Sequence, residues 1–261
     1  MSATHARKKP FLRLATAAVA MVAALGMAAC SGGTATSSSS SSAQVGDRTP
    51  EQIQEAGEIV IGIFSDKAPF GYIDADGKPA GYDVVYGDRI AADLGVTAKY
   101  VPVDAAARTE VLASNKVDIT LANFTVTPER AEKVDFANPY FKVSLGVVSP
   151  TSAEITDVSQ LAGKTLIVTK GTTAEAYFEA NHPEVKLQKY DQYSDAYQAL
   201  EDGRGDAFAT DNTEVIAWAI QNPGFSVGIK SLGDTSYIAA AVKKGNTALL
   251  DWLNNELVEL G

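Results

Sequence analysis

The sequence predicts an α/β fold of two lobes, each built on a largely parallel sheet. Three observations lead there. From residue 58 onward, strand-like and helix-like stretches alternate, the pattern of parallel strands joined by crossover helices. The two halves also echo each other: KVDITLAN (116–123) and RGDAFATD (204–211) each place a basic residue, a spacer and Asp ahead of an apolar strand ending in Asn or Asp. Finally, YFKVSLGVVS (140–149) and DTSYIAAAV (234–242) read as two crossover hinge strands between the lobes.

In order, EIVIGIF (58–64) reads as a buried strand and APFGYIDADGKPAG (68–81) as turn-rich connection. YDVVYGDRIAADLG (82–95) has helical spacing and ends at a glycine. KYVPV is a strand, ARTEVLAS a helix, KVDITLANF a strand and PERAEKV a short helix. The second set runs KTLIVTK strand, AEAYFEAN helix, VKLQKY strand, SDAYQALED helix, DAFAT strand and TEVIAWAI helix. The C-terminal ends of strands in such sheets face the ligand crevice. That expectation sets Asn123–Arg130 and Thr210–Asn212 on opposite sides of one cleft. Lobe 1 is assigned to residues 50–143 and 238–261, and lobe 2 to 144–237.

Residues 1–29 read as a secretory signal, with Arg7, Lys8, Lys9 and Arg13 ahead of an uncharged, Ala-rich stretch. Cys30 is the only cysteine and directly follows Ala28-Ala29, as in a bacterial lipobox whose cysteine is lipidated. The other reading is an uncleaved anchor, since the 17 uncharged residues from Leu14 to Cys30 approach a membrane span. Both put the rest of the chain outside the cytoplasm. The Ser-rich residues 30–49 are too poor in apolar side chains to build a core and read as a tether.

The formal charge is −10, and removing residues 1–29 takes away four basic and no acidic residues, moving it to −14. Such an acidic surface argues against nucleic acid or anionic lipid as a partner. With one cysteine there is no disulfide, and beyond the signal the only histidine is His182. A Ser-His-Asp triad or a Cys/His metal site therefore has no support. AGKT (162–165) ends like a phosphate-binding loop, but Val158 stands where the earlier glycine is required, and the strand follows it.

The candidates that carry chemistry are few. Thr127-Pro128 is a good helix start, and Arg130 then sits in the first turn, where the helix dipole disfavours a cation. It is either a surface ion pair with Glu129 or Glu132, or a fork-shaped donor aimed at an anion in the cleft. Thr172 and Glu175 have capping-box spacing after Gly171, so this stretch is either a well-capped helix or a second anion-friendly site with Thr172 and Thr173. Asp211 ends a strand and starts a helix: it is an N-cap, or it faces the cleft and pairs with an ammonium group. Arg130 and Asp211 in opposition would read a zwitterion. Asp118 and Asp206 fit structural turn or cap contacts.

From Glu58 onward the sequence resembles the family 3 extracellular solute-binding proteins, which deliver polar amino acids to ABC importers. The stretches that carry the likeness are IVIGIFSDKAPFGYIDADGKPAGYDVV, SNKVDITLANFTVTPERAEKVDFANPYF, LAGKTLIVTKGTTAEAYF and GRGDAFATDN. The resemblance implies a two-lobed periplasmic-binding-protein (flytrap) fold. It further implies that the ligand carboxylate meets Arg130, Thr125, Thr172 and Thr173, and its ammonium Asp211 and Asn123. Phe64, Lys67, Phe70 and Gly171 are expected in the pocket wall. Members for longer ligands carry an aromatic residue where Lys67 stands, and the segment around Ala105 is small, which argues against a stacked, long side chain. FSDKAPFGY, AAARTEVLASNKVDITLANFT and ATDNTEVIAWA look most like the cysteine-binding branch.

The implied function is capture of an L-amino acid, cysteine first or another small polar one, outside the membrane and its delivery to a permease. The implied protein is a monomer lipid-anchored through Cys30, with no cofactor, no metal and no chemistry of its own. Two alternatives stay open: a cyclohexadienyl or arogenate dehydratase-like enzyme on the same fold, and a ligand-sensing or adhesive surface lipoprotein.

Overall fold

The computed structural model describes residues 43–260, so the signal segment, Cys30 and most of the expected tether lie outside the described residues. In chain order the first elements are α1 (Pro50–Ala56), β1 (Glu58–Ile63), β2 (Asp66–Lys67), β3 (Gly71–Ile73) and β4 (Pro79–Ala80). Next come α2 (Tyr82–Leu94), β5 (Thr97–Pro102), α3 (Glu110–Ala113), β6 (Ile119–Thr120), α4 (Pro128–Ala131), β7 (Val134–Phe136) and β8 (Phe141–Pro150). The remainder is β9 (Thr165–Thr169), α5 (Thr173–Asn181), β10 (Lys186–Tyr190), α6 (Tyr193–Glu201), β11 (Ala207–Asp211), α7 (Asn212–Gln221), β12 (Phe225–Ile238), β13 (Ala241–Lys243) and α8 (Thr247–Leu260).

Two five-stranded sheets carry the fold, in the orders β5-β1-β6-β13-β7 and β10-β9-β11-β8-β12. Each begins with three parallel strands in which the first in sequence lies between the second and the third. The echo read between residues 116–123 and 204–211 falls on the third strand of each set, β6 and β11. Its two aspartates do the same work. Asp118 accepts the Val60 N–H of β1 at 2.8 Å, and Asp206 accepts the Thr165 N–H of β9 at 2.8 Å. Each carboxylate thus satisfies a backbone donor at the start of the neighbouring strand.

The antiparallel strands complete the sheets. β13 pairs with β6 and β7, while the long β8 lies between β11 and β12. The chain passes between the sheets around Tyr140, whose N–H donates to the Ile238 carbonyl at 3.0 Å. Fully buried Ile59, Ile61, Ile90, Ile119 and Leu253 pack on one sheet, and Leu166, Val168, Phe178 and Ala209 on the other.

Three expectations change. The strand read over 116–124 is only Ile119–Thr120, because Ala122 and Asn123 turn into left-handed backbone at φ 36° and 41°. The hinge strand read over 234–242 is the end of β12 and the start of β13, interrupted at Ala239–Ala240. The tether read over 30–49 meets the fold before Pro50. Arg48 is buried and donates to both carboxylate oxygens of Asp118, and the Gly46 N–H donates to the same group at 3.0 Å. A buried carboxylate that needs a cation brings these residues down onto the sheet.

Candidate functional site

The ends of β6 and β11 meet across a closed cleft. The left-handed turn at Ala122–Asn123 is held from two sides: Asp83 of α2 accepts the Asn123 N–H at 2.9 Å, and Arg108 donates to the carbonyls of Ala122 and Asn123, each at 3.2 Å. The turn directs the Asn123 amide at β11, where Nδ2 donates to Asp211 Oδ2 at 2.6 Å. With the nitrogen committed there, Asn123 Oδ1 is a buried acceptor that receives no hydrogen bond among the described residues.

Asp211 does not cap α7. Its side chain makes no capping hydrogen bond, and the Thr213 N–H is met instead by Asn212 Oδ1 at 2.9 Å. The Asp211 carboxylate faces the cleft, with Asn123 on one side and Lys67 Nζ 3.4 Å away on the other.

The opposite end of the cleft is cationic. Thr127 is the N-cap of α4, its hydroxyl accepting the Arg130 N–H at 3.3 Å. The Arg130 side chain turns away from Glu129 and Glu132 and donates to the Thr125 carbonyl at 2.7 Å and the Gly171 carbonyl at 2.9 Å. The guanidinium of Arg108 reaches the same Gly171 carbonyl at 3.1 Å. Burial first, and then the neighbouring Arg108, push the Arg130 guanidinium down to about 9. Two cations sharing one carbonyl leave an electrostatic demand that a carboxylate would meet bidentately.

Thr172 is the N-cap of α5, accepting the Glu175 N–H at 3.2 Å, while Glu175 reaches back to the Gly171 N–H at 2.7 Å. The Thr172 hydroxyl proton goes to the Thr169 carbonyl at 2.7 Å. The hydroxyl is thus engaged at the helix start, and Thr172 and Thr173 also present the first backbone N–H groups of α5 to the cleft. Gly171 itself has φ 72°, and a Cβ there would lie 2.5 Å from the Ala106 Cα of the facing lobe. Only glycine lets the two sides approach this closely.

Lys67 lies on β2 and is 1% exposed. Its ammonium pairs with Glu214, itself fully buried in the first turn of α7, and donates to Thr210 Oγ1 at 3.2 Å. The Tyr193 ring lies 4.0 Å from Lys67 Nζ, and Phe64 and Phe70 flank it at 6.0 Å. Burial works against the charge, but Glu214, Tyr193 and Asp211 outweigh it and hold Lys67 above the ordinary lysine range.

Of the residues expected at the site, Thr125, Thr172, Thr173 and Asp211 line one enclosed space and Arg130 and Gly171 the groove beside it, while Asn123 and Lys67 contact Asp211, and Phe64 and Phe70 flank Lys67. The enclosed part, bounded by Arg108, Thr125, Thr172, Thr173, Tyr193 and Asp211 among others, has a volume of about 10 Å³, room for about one water. A groove of about 570 Å³ opens beside it past Arg130 and Gly171. Three site residues were not expected: Arg108, Tyr193 and Glu214. Arg108 follows three alanines, and Glu214 fits the dipole of a helix start, so neither breaks a local rule in the sequence.

Known proteins share this fold. A crystal structure of the solute receptors for L-cysteine of Neisseria gonorrhoeae is 53% identical, covers 82% of this chain and 88% of that one, and superposes with a TM-score of 0.80. The cysteine-binding protein from Campylobacter jejuni is 49% identical over 81% of this chain and 86% of its own, with a TM-score of 0.79. The ABC transporter glutamine-binding protein GlnH of Bacillus subtilis is 28% identical over 94% of this chain and 90% of its own. Residues 59–261 match the model of the bacterial extracellular solute-binding proteins, family 3, and this chain, with its two five-stranded sheets, belongs to that family.

Proposed function

We propose that this protein captures a small polar L-amino acid, cysteine foremost, outside the membrane and hands it to an ABC permease. The observation that carries this reading is the separation of charge in the cleft. Arg108 and Arg130 sit at one end, and Asp211 with the unused Asn123 Oδ1 at the other. The ligand carboxylate takes the place beside Arg130, Thr125 and the start of α5. Its ammonium takes Asp211 and Asn123 Oδ1.

A cavity of about 10 Å³ admits no amino acid, so capture begins with the lobes apart and ends with their closure by hinge bending. A micromolar Kd corresponds to ~8 kcal/mol, within reach of two desolvated charge pairs and several hydrogen bonds. Cys30 is the proposed lipidation site that keeps the protein at the membrane as a monomer.

The test is a thermal-shift screen of ligand-stripped protein against the 20 amino acids and cystine, followed by calorimetry. Small polar amino acids raise the melting temperature. A flat response across the whole set overturns the reading, and turnover of prephenate would replace it with an enzyme. Mass spectrometry of the membrane-extracted protein tests the acyl group on Cys30.

A further inference from the structure

We propose that Lys67 and Glu214 form a charge-paired stop at the side-chain end of the cleft, restricting the ligand to amino acids whose short side chain ends in a hydrogen-bond acceptor. This inference rests on the amino-acid reading above and specifies which amino acids the site takes.

The stop spans the two lobes. Lys67 comes from the small sheet β2-β3-β4 and Glu214 from α7, and neither is more than 1% exposed. Glu214 is held in place on the far side, accepting from the Tyr197 hydroxyl at 3.1 Å and the Thr210 hydroxyl at 2.9 Å. Lys67 Nζ is confined between Glu214, Thr210, Asp211 and the ring of Tyr193.

Two consequences follow for a ligand whose ammonium sits on Asp211. A long side chain must push Lys67 off Glu214, leaving a fully buried carboxylate without its cation, which weakens binding by about a hundredfold or more. A short side chain leaves that pair whole. An ammonium has three N–H donors; here Glu214 and Thr210 accept two of them, and Asp211 stands 3.4 Å away as an ion pair. When the ligand's ammonium pairs with Asp211, the third Lys67 N–H is left on the ligand's side, within reach of a group on its Cβ. A thiol sulfur, hydroxyl oxygen or short carboxylate on that carbon accepts it; a methyl group cannot. Lys67 and Glu214 are thus specificity-determining residues that act through size and hydrogen bonding together.

The experiment is calorimetry of stripped wild-type protein with cysteine, serine, aspartate, alanine, glutamine and arginine, repeated with Lys67→Met and with the double variant Lys67→Ala/Glu214→Ala. In the wild type, at least one short acceptor-bearing ligand binds at least about tenfold more tightly than alanine, while glutamine and arginine bind about a hundredfold more weakly than it. Lys67→Met loses the preference over alanine, and the double variant gains at least about tenfold for glutamine because the stop is removed without leaving a lone charge. Wild-type protein that binds glutamine or arginine as tightly as the short ligands overturns the stop, and this arm needs no variant to fold. A Lys67→Met protein with native circular dichroism and an unchanged preference overturns the role of the lysine. Wild-type protein that binds none of the six overturns the amino-acid reading itself, and this inference with it.

Discussion

The guanidinium groups of Arg108 and Arg130 end on one oxygen, the carbonyl of Gly171, at 3.1 and 2.9 Å. They are not equivalent. Arg108 also donates to Ala105, Ala122 and Asn123 and so holds lobe 1 together, whereas the other side-chain hydrogen bond of Arg130 goes to the Thr125 carbonyl, and its guanidinium lies over the Phe124 ring beside the groove. Arg130→Ala is therefore expected to abolish measurable ligand binding, a loss of about 3–5 kcal/mol, with little change in melting temperature. Asp211→Ala should lose as much from the ammonium end. Arg108→Ala should lower both affinity and stability. Calorimetry beside a thermal melt separates the three, and wild-type affinity in Arg130→Ala would remove Arg130 from the site.

Closure depends on Gly171. Its left-handed backbone would cost an alanine about 1 kcal/mol wherever it stood, but the clash with Ala106 exists only when the lobes meet. Gly163 provides the control: its φ is 75°, yet a Cβ there meets nothing within 4 Å. Gly171→Ala is expected to weaken ligand binding at least about tenfold and to keep the protein expanded in small-angle scattering at saturating ligand. Gly163→Ala should bind and close normally. Equal behaviour of the two would show that backbone strain, not the approach of the lobes, governs position 171.

Which parts of the site could be read from sequence follows from where each residue gets its meaning. Arg130 is visible because it violates a local rule, a cation at the positive end of a helix, and the structure turns it away from its neighbouring glutamates toward Gly171. Asp211 is visible because it ends a strand in a repeated pattern, although the sequence left a helix cap equally open. Glu214 and Arg108 satisfy every local rule, and their partners, among them Lys67 and Gly171 across the cleft, are distant in sequence. The strand read through Leu121–Phe124 fails for the same reason. The apolar run is strand-like, but Asp83 and Arg108, distant in sequence, bind its backbone and bend it into left-handed conformation.

The N-terminal clip should be a stability element rather than a binding one. Arg48 meets the fully buried Asp118, and Asn246 holds the carbonyls of Gly46 and Arg48 at 2.9 and 3.0 Å. Arg48→Ala leaves the Asp118 carboxylate buried with N–H donors but no cation, which is expected to cost about 3–5 kcal/mol. Denaturant unfolding should show a lower midpoint with an unchanged slope. Ligand affinity, set at the opposite ends of the strands, should stay as in the wild type.

Asp83 gives the pH dependence. Its carboxylate is fully buried, and burial pushes it up to about 6, against the pull of the Asn123 N–H, the Tyr140 hydroxyl, Lys67 and Arg108. A carboxyl held above its unfolded value of about 3.9 binds its proton more tightly in the folded state. Its contribution to stability is therefore fully present below about pH 4 and lost as the pH rises through about 6, on the order of 3 kcal/mol in all. Asp83→Asn keeps an oxygen for the Asn123 N–H and removes the titration. The difference in unfolding free energy between Asp83→Asn and the wild type should thus move in favour of the variant between pH 4 and pH 7, by that amount. Other carboxylates titrate in both proteins and cancel in the difference. A difference independent of pH would mean that Asp83 stays ionised throughout, compensated by Lys67 and Arg108 more strongly than its burial disfavours it.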